Sequence, residues 1–72
     1  MKFVQVTGQP CNNAGSHHSS MARTTFFVNV NEIKAFVGRD IYFSSLLLEI
    51  GGKYFKDVRL VSDNDIVKLQ NS

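Results

Sequence analysis

Residues 46–60 read Leu-Leu-Leu-Glu-Ile-Gly-Gly-Lys-Tyr-Phe-Lys-Asp-Val-Arg-Leu, and the two glycines at their centre settle the architecture. A glycine pair between two β-forming runs supplies the positive φ angles of a two-residue hairpin. The hairpin sets Leu48 opposite Phe55, a sound apolar pair. Continued without interruption, the same register would set Leu46 against Asp57. Phe55 and Val58 are three residues apart, and a regular strand cannot turn both to one face. One extra residue near Lys56 and Asp57, a β-bulge, resolves both conflicts and points Val58 and Leu60 at the core. Gly51-Gly52-Lys53 resembles a phosphate-binding loop only in composition, because strands flank it where such a loop needs a helix N-terminus.

Upstream of the hairpin, residues 41–50 are expected to form the longest strand. Its alternation puts Tyr42, Leu46, Leu48 and Ile50 on one face and Phe43, Ser45, Leu47 and Glu49 on the other, more polar one. Residues 25–30 alternate in part, with Phe26, Val28 and Val30 inward and Phe27 and Asn29 outward. Asn29 and Asn31 suit a tight turn. Residues 33–37 then read as a strand, joined to the next through a short connection at 38–40.

The amino-terminal part is different. Residues 2–6 are rich in β-formers. Residues 7–25 contain no Val, Ile, Leu, Phe or Tyr, and their Gly, Pro, Asn and Ser content is that of a long polar loop. At the other end, Ser62 is placed to cap a helix with Asp65 near it as in a capping box, while Ile66 and Leu69 share a face. The expected fold is α+β and β-rich. About five strands form an antiparallel curved sheet or partly open barrel, with one short C-terminal helix. Residues 1–72 make a single small domain.

Composition narrows the function. Of 23 Val, Ile, Leu and Phe residues, 20 lie in residues 26–72, enough for one small core. Seventy-two residues are too few for a barrel or doubly wound enzyme. With a single cysteine there is no disulfide scaffold. The longest run of large aliphatic residues is three, so no membrane span is expected. Residues 1–8 carry one positive charge and no sustained apolar stretch, unlike a secretory signal. An unpaired cysteine suits a reducing compartment, and the expected location is cytoplasmic. The formal charge is +2, and all of the excess lies in residues 1–31, which hold Lys2 and Arg23 and no acid.

Two sets of residues are candidates for a site. Cys11, His17, His18 and Arg23 share the polar loop. Zinc requires at least three protein ligands, and Cys-x5-His-His lacks an established spacing, so no metal or cofactor is expected. A nucleophilic role would need a rigid support that a loop does not give. Asp63 and Asp65 are accounted for by the helix N-terminus. The second set is Phe43 and Tyr54, with Lys53, Lys56 and Arg39 beside them. Aromatics on a sheet flanked by bases can stack single-stranded nucleic acid, although a small core also needs its aromatics. No base and nucleophile pair is evident, and no enzyme is expected.

Four motifs follow one another along residues 2–69. A short strand ends at a glycine in Lys2-Phe3-Val4-Gln5-Val6-Thr7-Gly8. A strand enters an Asn turn before an Ile in Phe27-Val28-Asn29-Val30-Asn31-Glu32-Ile33. A hairpin closes on Gly51-Gly52-Lys53. A serine opens an acidic-capped helix in Ser62-Asp63-Asn64-Asp65-Ile66-Val67. In this order the chain resembles the small FlbD-like proteins of bacterial flagellar operons, with an insertion at 9–24. The resemblance implies a small cytoplasmic accessory protein without catalysis. The second half also resembles the last strands of LytTR-type DNA-binding domains. The expected function is therefore protein–protein binding, with a protein partner and a homo-oligomer of two or more copies. Self-association is favoured by a marginal core and by open edges near residues 2–6 or 26–30. Nucleic-acid binding through the sheet aromatics and the acid-free segment is the alternative.

Overall fold

The 53–60 strand runs through the middle of the molecule and organises it. In a computed structural model, which describes residues 2–16 and 22–71, the elements follow in the order β1 (Phe3–Cys11), β2 (Thr24–Asn29), a 3-10 turn (Val30–Glu32), β3 (Ile33–Val37), β4 (Asp40–Phe43), β5 (Leu48–Ile50), β6 (Lys53–Leu60) and α1 (Asn64–Gln70). The sheet is antiparallel, ordered β2-β1-β6-β4-β3, with β5 also paired to β6. This is the expected β-rich α+β fold with one short C-terminal helix.

The hairpin at 51–52 forms as expected, with Gly51 and Gly52 at φ +58° and +83° and Leu48 opposite Phe55. Glu49 Oε2 accepts from the Gly52 N–H at 2.9 Å, which ties the turn. The bulge is also present. Thr7 pairs with Arg59 and Gln9 with Lys56, so β1 advances two residues while β6 advances three. Asp57 takes up the irregularity at φ +51°, a left-handed conformation that Asp tolerates better than most residues. Phe55, Val58 and Leu60 consequently all turn inward and are buried.

Three expectations are corrected. Residues 41–50 are not one strand. They divide into β4 and β5 around a bend at 44–47. The inward residues are Ile41, Phe43 and Leu48, and the change from odd to even positions forces an irregularity between them. Ser44 and Ser45 have no apolar side chain to hold either face. As a result Tyr42 and Leu46, assigned inward by simple alternation, are exposed, Leu46 almost fully at 98%.

Second, the polar loop does not span 7–25. β1 continues to Cys11, and Gly8, Gln9, Pro10 and Cys11 are buried. Gly8 pairs with Thr24 of β2, and Gln9, Pro10 and Cys11 pair with β6, so the backbone finds strand partners whatever the side chains. Gly8 contributes by what it lacks. A Cβ there would lie 3.1 Å from the Phe26 ring and from Phe55 Cβ. Those two rings pack over it at 4.8 Å, tilted by 42°. Pro10 lies beyond the last β2 partner, where a missing N–H is tolerated. The connection is thus residues 12–23.

Third, Ser62 does not close a capping box. Its Oγ accepts from the Asn64 N–H at 3.2 Å, and Asp65 pairs instead with Lys68 at 3.6 Å. The helix buries Leu69, packs Ile66 against the core and leaves Val67 exposed.

The turn after β2 shapes the whole sheet. Asn29 Oδ1 accepts from the Asn31 N–H at 2.9 Å and holds it. The turn joins the two outermost strands. In a flat sheet, four spacings of about 4.8 Å would set β2 and β3 about 19 Å apart. Three residues of 3-10 turn, at about 2 Å each, cannot cover that distance. The sheet therefore curls until its edges approach at this end, around a core of Val4, Val6, Val28, Val30, Ile41, Phe55, Val58, Leu60 and Leu69. β2 and β3 do not pair, so the curl stops short of a closed barrel.

Candidate functional site

The residues singled out from the sequence do not converge on one surface. Phe43 is half-buried and packs against the core. Its assignment to an exposed face is corrected by the bend at 44–47. Tyr54 is half-buried, opposite Cys11 on one side and Glu49 on the other. Lys53 is exposed beside the glycine turn, opposite Ile50. Lys56 donates from Nζ to the Gly15 carbonyl at 3.0 Å. Arg39 lies near the far end of β6, where its carbonyl accepts from the Leu60 N–H. At about 3.3 Å per residue, Lys53 and Arg39 are separated by roughly 23 Å. Arg39 is engaged there with Asp63 at 2.8 Å and with the Val61 carbonyl at 3.3 Å.

The second set separates as well. Cys11 ends a strand and is buried at 4% exposure, so it is not a loop residue. His17 and His18 lie outside the described residues. Among the described residues, no group of three or more His, Cys, Asp or Glu side chains could hold a metal ion. Arg23 folds back over the sheet. Its Nε donates to Thr7 Oγ1 at 3.1 Å and its Nη2 to the Thr7 carbonyl at 2.9 Å. Nη2 also donates to the Asp57 carbonyl at the bulge. Burial, and then the positive charge of Arg59, hold its pKa below the ordinary arginine value, while Asp57 and Asp40 pull the other way. Arg59 itself pairs with Asp40 at 3.6 Å. The arginine of the acid-free segment is therefore engaged inside the fold.

The open surfaces lie elsewhere, along the seam of the sheet. A groove of about 560 Å³ separates residues 27–29 of β2 from residues 47–50, with Phe43 and Glu32 at its margin. A second groove of about 750 Å³ lies on the other side of the 44–48 segment, against β4 and β6. Leu46 lies on the rim of this second groove, almost fully exposed.

β2 offers the sharper chemistry. The Val30 N–H donates to the Lys2 carbonyl at 2.9 Å, and the pairing continues with Val4 opposite Val28 and Val6 opposite Phe26. Hydrogen-bonded and non-hydrogen-bonded pairs alternate in an antiparallel ladder. Thr25, Phe27 and Asn29 therefore turn their N–H and C=O groups away from β1, towards a side where no strand pairs with them among the described residues. Phe27 adds an exposed ring on the outer face, at 64%, and Phe3 on β1 another.

No family model, curated protein or solved structure matches this chain. The sequence signal for this edge is that residues 24–29 contain neither charge nor proline. Natural edge strands commonly carry one or the other to discourage pairing.

Proposed function

We propose that this protein is a non-catalytic interaction module that binds protein chains, its own among them, through the open β2 edge. One observation carries the reading: a six-residue edge strand free of charge, with outward backbone donors and acceptors and an exposed Phe27. Such an edge gains hydrogen bonds and buries apolar surface when another strand adds to it. A core of nine buried residues gives a chain of this length little stability of its own, which favours assembly.

The order of motifs shared with FlbD-like proteins supports a cytoplasmic accessory role in a bacterial cell. Among the described residues no helix is long and apolar enough to cross a membrane. Nucleic-acid binding has less support, because Arg23, Arg39, Arg59 and Lys56 each engage oxygens of the protein itself.

Light scattering over a concentration series tests the reading. The expected result is a mass that rises above the 8.1 kDa monomer between low and high micromolar concentration. A constant monomer mass at several hundred micromolar overturns self-association.

A further inference from the structure

Resting on that reading, we infer that the partner on the β2 edge is a second copy of the chain, joined antiparallel about a two-fold axis at Phe27. The outward groups dictate this register. With Phe27 opposite the second copy's Phe27, Thr25 falls opposite Asn29 and Asn29 opposite Thr25. Thr25 and Phe27 present both N–H and C=O to the open side, and Asn29 its N–H, its carbonyl being taken by the 3-10 turn. Such pairs exchange about four N–H···O bonds across the axis.

Side chains and charge agree with the register. The strand pairs with itself without setting like charges opposite one another, because residues 24–29 carry none. On the outer face the two Phe27 rings become cross-strand neighbours, with Phe3 diagonal to each, so that side chains now 64% and 47% exposed share one apolar strip. The seam groove separates the 47–50 wall from the strand. The other strands paired on one side only carry a charge that discourages edge pairing, an exposed Lys34 on β3 and an exposed Glu49 on the three-residue β5. A two-fold contact of this kind is closed, so it gives a dimer and not a filament.

Cysteine cross-linking reads the register directly. Residues in a hydrogen-bonded pair sit with Cα atoms about 5.5 Å apart, inside the range of about 4.4–6.8 Å that a disulfide spans. Phe27→Cys is expected to give a covalent dimer under mild oxidation. Lys34→Cys, and the unaltered protein with its buried Cys11, are expected to stay monomeric on a non-reducing gel. Phe27→Lys, which sets two ammonium groups opposite each other, is expected to scatter as a monomer with an unchanged far-ultraviolet circular dichroism spectrum. Cross-linking at Lys34→Cys in place of Phe27→Cys would move the interface to β3. A native dimer that Phe27→Lys leaves intact would overturn the Phe27 axis while leaving self-association standing. A native monomer at several hundred micromolar overturns both.

Discussion

Lys56 Nζ donates to the carbonyl oxygen of Gly15 at 3.0 Å, although 41 residues separate the two in sequence. The next residue, Asp57, accepts from Arg23. The 12–23 connection is thus fastened near both ends to neighbouring residues of one bulge. These bonds shorten the free part of the connection, which changes its closure entropy only slightly, so their own strength decides what the fastening contributes.

Arg23 provides the first test of that arrangement. Replacing it with Ala removes charge-assisted bonds to Thr7 and Asp57 and releases the exit of the connection. The side chain is partly exposed, so a loss of about 1–2 kcal/mol is expected. Arg23→Lys should recover only part of it, because an ammonium lacks the planar fork that reaches Thr7 Oγ1 through Nε and the Thr7 and Asp57 carbonyls through Nη2. Urea denaturation of the three proteins decides the point. Equal midpoints for Arg23→Ala and the native chain would show that the fastening is not stabilising.

Asp57 tests the bulge itself. At φ +51° a β-branched residue meets its own carbonyl, whereas Asn adopts the conformation readily. Asp57→Val should lose about 2 kcal/mol, the size of such left-handed strain, and Asp57→Asn should be nearly neutral. If Asp57→Val matched the native midpoint, β6 would have to be regular there, with Val58 turned away from the core.

Gly8→Ala sets two effects against each other. Alanine restricts the unfolded chain, which stabilises by about 0.4–1 kcal/mol where the backbone accepts it. The new Cβ, however, sits 3.1 Å from Phe55 Cβ, which is anchored to the central strand and cannot move aside as a side-chain tip would. Overpacking of this kind costs about 1–3 kcal/mol. Net destabilisation of about 1 kcal/mol is expected, with a change in the near-ultraviolet signal of the Phe26 and Phe55 rings. A higher midpoint would mean that the Phe26 ring yields.

The features legible in the sequence are those whose cause is local. Gly51-Gly52 specifies its turn by backbone freedom alone. The bulge at Asp57 could be inferred because Phe55, Val58 and Leu60 can share a face in no other way. The extension of β1 is not legible, since Gly8 is a strand residue only by virtue of Thr24 of β2 opposite it, and Gln9, Pro10 and Cys11 only by virtue of β6. The division of residues 41–50 was hidden for a related reason. Leu46, Leu47 and Leu48 satisfy either alternation, so the parity change that the bend introduces leaves no mark in that run. Simple alternation consequently places Phe43 on the exposed face, and the basic residues grouped with it lie at opposite ends of β6. The β2 edge was visible only in part, as a strand without charge. Which of its backbone groups face outward follows from pairing with β1 and not from composition.

Cys11 distinguishes the two descriptions of the amino-terminal part most sharply. In a polar loop at 7–25 its thiol would face solvent and react with a disulfide reagent within seconds. As the last residue of β1, at 4% exposure, it can react only when the strand opens. A small domain stabilised by about 3–5 kcal/mol should slow that reaction a hundredfold or more relative to the unfolded chain. The expected result is a slow native reaction, a single fast thiol in concentrated guanidinium, and a native rate that rises in Arg23→Ala as the nearby connection loosens. An immediate native reaction would return residues 7–11 to the loop and remove the β1 to β6 pairing beyond Thr7.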